Sequence, residues 1–557
     1  MTAHSRAATA TLAALSALAA VVLLVKGRGL TFSYDEWDWI VGRIHWRTDV
    51  LLTPHNGHLS LVPLLVFKVL FVTVGLKAYW VYRLLLVALH LTCVGLIFVY
   101  ARRRVGPALA VAAASFVLFL GAAWNDLLIA FQISFLLPVA MGIAALLALD
   151  RRDRVHDALA SLLLTIGVAS SSLGLSFALG AGIELLATPA RWRRIWVVLV
   201  PAALYLAWLV AYRNNPHNIQ GTVGPLVPAL KENLPGLPVY VATAVAGASA
   251  ALLGLAVDWG RALVVGLVAL LLWYLARGGV VTPRLAGLFA AALSYWALLA
   301  AIRGQISGPT ESRYLYLGGV FVVLLLVEGA AGSSPGTVAL TIAALLVAGA
   351  AVGNYGPLRA ASAQLRSYSQ AVEAELGALE LAGPGVNPNY RPDPGRMPNV
   401  TDGLYFAAVR AFGSPAATPS EIRRLPEPAR EAADTVLAQR LGVEVVARPV
   451  EGGPPAVESA VGTVGASRGC SVFRPATPGA SAAVTLPPGG LIFEPEGAAS
   501  AEVRARYFGD AFPPGSIANV PPQASSLVRI LPARRRLVWH ALVTAAAPVL
   551  ICAARPA

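Results

Sequence analysis

Apolar runs of about twenty residues recur through the first two thirds of this chain, and each is long enough to cross the ~30 Å hydrocarbon core of a bilayer. Only a bundle of membrane helices absorbs so many of them. Of 557 residues, 13% are charged and 57% hydrophobic, whereas a soluble domain carries about 25% charged residues. The chain reads as a polytopic, mainly α protein of about 11 spans. They are expected near 8–27, 78–100, 107–122, 126–149, 157–170, 173–188, 195–213, 261–277, 284–302, 314–331 and 336–353. The first run lacks a clear cleavage site and is read as an uncleaved span rather than a signal peptide.

With the N-terminus in the cytoplasm, the arginines at 102–104, 151–154 and 191–194 fall on the cytoplasmic side, as do Arg277 and Arg284. That is the positive-inside pattern of a multi-pass plasma-membrane protein. It accounts for the net charge of +14 and removes the case for a nucleic-acid partner. Two runs are set aside from the count. "LSLVPLLVFKVLFVTVGL" (59–76) is read as a helix in the outer interface with Lys68 snorkelling. "VYVATAVAGASAALLGLAV" (239–257) is read as re-entrant or interfacial.

After Asn354 the character changes, with more Pro, Gly and charge. The expected division is a membrane domain over 1–355, an extracytoplasmic helical region over 356–442, and a β-sandwich over 443–557. Segments 357–381 and 427–441 read as helices. Beyond 443, short runs such as "CSVFRP", "LIFEP" and "PVLICA" alternate with turns, the pattern of a sandwich. Cys470 and Cys552 each sit in a strand-like run. In an oxidising compartment they are expected to form a disulfide closing a loop of ~80 residues, the alternative being two separately buried thiols.

The segment "FSYDEWDWIVGRI" (32–44) leaves the first run and sets Asp35, Glu36 and Asp38 among Tyr34, Trp37 and Trp39. An interfacial aromatic belt explains the rings. Adjacent acids at a membrane edge call for more, because low-dielectric surroundings make them costly to ionise. Paired carboxylates there suit deprotonation of a polar acceptor while a lipid-bound group departs. Asp38 is equally well a capping or solvent-facing residue. His55 and His58 flank "NG" in the next loop. They suit a sugar, a divalent metal, or simply a polar turn. Asp126, in "AAWNDLLIAF" (122–131), is a helix cap or a second acid of the site. Arg303 and Arg313, in "AIRGQISGPTESRYLYLGGV" (301–320), fall on the outer side against the usual bias and call for an anion. A guanidinium holds a phosphate by two hydrogen bonds; snorkelling at helix ends is the alternative. Tyr314 and Arg83 support the same role.

The layout of an N-terminal span, an outer acidic pair, "LLTPHNGHLSLVPLL" (51–65) and "GLKAYWVYRLLL" (75–86) resembles the GT-C membrane glycosyltransferases. That superfamily includes protein O-mannosyltransferases and lipid A aminoarabinose transferases. The resemblance covers about 1–355 in layout and the first ~100 residues in motif; "PHNGHL" stands where relatives often carry a Lys-Pro-Pro stretch. It implies transfer of a sugar from a polyprenyl-phosphate donor to an extracytoplasmic glycan, lipid or protein. Asp35 would activate the acceptor, Glu36 would orient it or help hold a metal, and Arg313, with Arg303, would hold the donor phosphate. The alternatives are a transporter or flippase of lipid-linked saccharides, and a non-catalytic anchor for a carbohydrate-binding domain. Few charges at the bilayer midplane and no internal repeat weigh against a transporter. An anchor would need neither the loop acids nor the outer arginines.

Overall fold

The computed structural model describes residues 3–189, 191–217, 226–276, 280–333, 335–385, 387–533 and 537–555, and Arg277 lies outside them. A helix lies over every run expected to span. Among the described residues, seven helices are long and apolar enough to cross a membrane, and Leu61–Thr73, Gly174–Leu186 and Trp196–Ala211 are shorter apolar helices. The chain divides into two compact units. The first comprises Met1–Arg28, His45–Val74 and Tyr79–Gln364; the second comprises Gly29–Ile44, Gly75–Ala78 and Leu365–Ala557.

In the first unit the helix Tyr79–Leu118 is broken at Gly106 (φ 80°), just before Pro107. Gly supplies the left-handed conformation and Pro cannot continue the ladder. The arginines 102–104 therefore sit at the break, where their charge meets acids from other helices. Arg103 and Arg104 reach Asp150 at 3.2 and 3.3 Å, Arg104 also meets Glu328, and Arg284 pairs with Asp150 at 3.1 Å and Glu184 at 2.5 Å. Arg194 pairs with Asp157 at 2.6 Å. These groups lie at helix ends and gather at one end of the bundle, as the charge pattern requires.

One expectation for this unit changes. Lys68 does not snorkel: it is 1% exposed, and its Nζ donates to the His45 carbonyl at 2.9 Å and lies over the Trp46 ring. The helix Leu61–Thr73 packs around it with Phe67, Phe71 and Tyr82 in mutual ring contact. At 13 residues that helix is roughly 20 Å long, too short to span. The segment 239–257 begins inside an apolar helix. Leu230–Leu252 is helical over 23 residues with a mean hydropathy of 1.3, enough to make it a candidate span. Its glycines and alanines allow close packing, with Gly247 against Thr310.

The helix Thr337–Ala382 continues through Pro357 from the apolar stretch, so 357–381 is helical as expected. Asp402–Phe412 and Glu427–Leu441 follow. The strands form two sheets. One has six strands in the order Val443–Ala447, Ser526–Ile530, Leu491–Pro495, Val549–Ala553, Cys470–Pro475 and Gly462–Ser467. The other has five, in the order Val457–Ala460, Ala480–Leu486, Trp539–Ala545, Ala501–Arg506 and Ala518–Val520. Every pairing is antiparallel. Alternation is clean in Trp539–Ala545, whose odd-numbered residues are buried and even-numbered ones half-buried, as a strand with one core face requires. Cys470 and Cys552 are disulfide-bonded across neighbouring strands and packed with Val472, Ile492, Leu527 and Leu550.

Candidate functional site

The first unit presents its site at the end of the bundle away from the ion-pair network. Residues 55–58 form a tight turn in which His55 N donates to the His58 carbonyl and His58 N to the His55 carbonyl, both at 2.9 Å. Asn56 (φ 49°) and Gly57 (φ 83°) occupy its centre. "NG" is the pair that such a turn demands, since both central residues need positive φ. Arg303, at the end of the helix Pro283–Arg303, donates to the Asn56 carbonyl at 2.9 Å. His58 Nδ1 bonds the Ser172 hydroxyl. Burial, and then the fields of Arg303 and Arg313, push the His58 ring down to about 3. It is neutral at physiological pH, and two neighbouring guanidiniums suit an anion there rather than a metal cation.

Arg313 opens the helix Ser312–Gly329. It pairs with Glu311 at 2.7 Å, donates to Ser307 Oγ at 2.9 Å and packs over Tyr314. Asp126 lies within its field. The turn that carries Asp126 is fixed from two sides: Asn125 N donates to Ser312 Oγ at 3.0 Å, and Ala122 N to Asn354 Oδ1 at 2.8 Å. Asp126 is fully buried, and among the described residues neither carboxylate oxygen has a hydrogen-bond partner. The Oε1 of Gln132, also buried, has none either. Native structures leave few such acceptors. Tyr240, which the sequence reading missed, lies within the fields of Arg303, Glu311, Arg313 and Tyr314. A cavity of about 350 Å³ is lined by Ala122, Gly247, Ala251, Thr310, Leu315 and Asn354 among others, mostly small or apolar.

Arg83 is placed elsewhere. It is 2% exposed and donates to the carbonyls of Leu23 and Leu127 at 3.0 and 3.5 Å, tying the first helix to the 124–128 turn. Its guanidinium occupies the space a side chain at Gly27 would fill. A phosphate has no access to it. His55 is likewise buried, packed on Phe131 at 5.3 Å.

The acidic segment belongs to the second unit. Its helix Asp35–Gly42 follows Tyr34, which holds φ 39°. Glu36 is fully buried and its Oε2 accepts from Ser33 N at 2.7 Å and Ser33 Oγ at 3.3 Å. Glu36 is thus engaged at the start of its own helix. Trp37 and Trp39 are 0% exposed, core residues and not belt residues; Trp37 packs on Phe32 and Tyr405 and donates to the Phe32 carbonyl. Asp35 and Asp38 remain partly exposed, and Asp38 accepts from Asn399 Nδ2 at 2.6 Å. Thr31 N donates to Ser369 Oγ at 3.0 Å. The acidic loop is thus built into the same compact unit as the sandwich.

No protein-family model and no curated protein matches the chain. Among solved structures, the chain is similar to ArnT from Cupriavidus metallidurans bound to undecaprenyl phosphate, at 15% identity and a TM-score of 0.44, over 74% of this chain and 86% of that one.

Proposed function

We propose that this protein is a membrane glycosyltransferase of GT-C type, moving a sugar from a polyprenyl-phosphate donor to an extracytoplasmic glycan, lipid or protein. The observation that carries the reading is Asp126: a buried carboxylate with two unmatched oxygens, within the field of Arg313. Sugar hydroxyls are the donors such oxygens lack, and a phosphate is the anion that Arg313, Arg303 and a neutral His58 accept. The small-residue cavity shares its lining residues Thr310 and Leu315 with the segment that carries Arg313 and offers apolar room for the first units of a lipid tail.

In this reading Asp35 takes the proton of the acceptor hydroxyl. The hydroxyl oxygen attacks the anomeric carbon, the bond from that carbon to the phosphate oxygen breaks, and polyprenyl phosphate leaves with its added negative charge held by Arg313. Asp126 and Gln132 hold the donor sugar. The N-terminus is cytoplasmic and the sandwich extracytoplasmic, beside Asp35.

The test incubates the purified chain in lipid nanodiscs with a panel of labelled polyprenyl-phosphate sugars and candidate acceptors. Release of polyprenyl phosphate from one donor, lost in Asp126→Asn, is expected. A panel left intact by a folded protein would overturn the reading.

A further inference from the structure

Tyr34 stands apart from the other rings of its segment. Phe32, Trp37 and Trp39 are fully buried, whereas Tyr34 is 49% exposed. It holds φ 39°, a conformation that L side chains rarely adopt and that persists where the surroundings impose it. Those surroundings are specific. The Tyr34 ring lies against the Tyr368 ring, centroids 5.0 Å apart and planes inclined at 33°. Tyr368 is itself pinned by its hydroxyl, which donates to the Arg396 carbonyl. One face of Tyr34 is therefore backed by a fixed ring while much of the residue stays open to solvent. Beside it in the chain are the partly exposed carboxylates Asp35 and Asp38, the latter bonded to the Asn399 amide.

We propose that Tyr34, backed by Tyr368, is the stacking platform for a pyranose ring of the acceptor glycan, with Asp38 and Asn399 receiving its hydroxyls. A pyranose with several axial hydrogens on one side presents an apolar C–H face and a rim of hydroxyls. An aromatic face meets the first, and carboxylate and amide groups meet the second. A platform fixed before the ligand arrives loses little side-chain freedom on binding. Stacking at Tyr34 sets a sugar next to Asp35, the group assigned to take its proton. The assignment rests on the transferase reading for the word acceptor, but the sugar site itself does not.

The test uses the full chain in nanodiscs and saturation-transfer NMR with methyl α- and β-glycosides of glucose, galactose, mannose and arabinose. One or more glycosides should bind, with the strongest transfer to ring C–H protons. Tyr34→Ala should weaken that binding about tenfold or more, and Tyr34→Phe should keep it. Tyr34→Gly removes the ring while relaxing the backbone, so it serves where Tyr34→Ala fails to fold, and it should weaken binding equally. Unchanged binding in Tyr34→Gly, or no binding by any glycoside, overturns the platform. The transferase reading fails separately: glycosides that bind at Tyr34 while every lipid-linked donor stays intact leave the platform standing and remove the catalytic role. Donor turnover with an unaltered acceptor KM in Tyr34→Gly does the reverse.

Discussion

Arg284 and Arg303 open and close one helix and keep opposite company. Arg284 is 7% exposed and held by Glu184 and Asp150, both acids of neighbouring segments. Arg303 donates to the Asn56 carbonyl and shares its field with a second cation, Arg313, at His58. The helix is 21 residues long, roughly 30 Å, so the two guanidiniums sit at its opposite ends. The first is an anchor; the second is the one proposed above to receive the donor phosphate.

Removing Arg284 should therefore cost stability. Arg284→Ala leaves Glu184, 13% exposed, without its guanidinium partner, and breaking a buried pair typically costs about 3–5 kcal/mol. The expected result is a clearly lowered unfolding temperature in detergent. An unchanged melting curve would show that the acids find other partners.

Asp35→Asn should leave folding intact, because Asp35 is partly exposed, while sugar transfer falls by roughly 10²–10⁴-fold. Turnover of the labelled donor at saturating acceptor measures it. A near wild-type rate would return the role of base to another group.

Arg313→Ala should weaken donor binding more than it slows transfer at saturation, since charge-assisted bonds to a phosphate are lost from the bound state. The measurement is Kd for a labelled polyprenyl phosphate beside kcat for the matching donor. Equal Kd values for both proteins would remove Arg313 from the phosphate site.

Asp434 gives the second unit a pH signature. It is fully buried and accepts from Phe508 N at 2.7 Å and Gly509 N at 2.9 Å. Burial outweighs these bonds and pushes its carboxyl up to about 6. The folded protein thus binds the proton more tightly than the unfolded chain, whose aspartates titrate near 3.9. The stabilisation is complete below about pH 4 and is lost as pH rises through about 6, some 2–3 kcal/mol in all. Thermal unfolding of the full chain followed from pH 4 to 7 should decline less in Asp434→Asn than in the wild type. Parallel curves for the two would contradict the assignment.

The disulfide closes a loop of 82 residues in sequence separation. In the chain-entropy model that constraint is worth about 4–5 kcal/mol. Replacing both cysteines with serine should lower the unfolding midpoint of the sandwich without touching donor binding. Mass spectrometry of non-reduced, alkylated protein checks the bond, which is absent if both thiols are alkylated without reduction.

Much of this architecture was legible because hydrophobic period and turn residues act locally. Glu427–Leu441 and eight of the strands lie where alternation and Gly/Pro punctuation put them. Val457–Ala460, Gly462–Ser467 and Ala518–Val520 were missed. The first two are mostly exposed and the third has only three residues, so none offers a run of apolar side chains. At the site, His58, Asp126, Arg303 and Arg313 were named from chemistry and position, and they do share one electrostatic neighbourhood. Partners set by packing were not legible. Nothing local says that Lys68 ends on the His45 carbonyl or that Arg83 caps two segments. Nor does anything local say that Asp126 is left with no donor.

The acidic loop finds its place late in synthesis. Thr31 is bonded to Ser369 and Asp38 to Asn399, across sequence separations of 338 and 361 residues. Ribosomes make residues 29–44 early and must add more than half the protein before the groups that seat them exist. Contacts so distant along the chain form slowly. The nascent chain thus carries its acid segment unseated while the bundle is being inserted. A product truncated before Leu365 would keep the carboxylates and lack Ser369 and Asn399, the partners of Thr31 and Asp38.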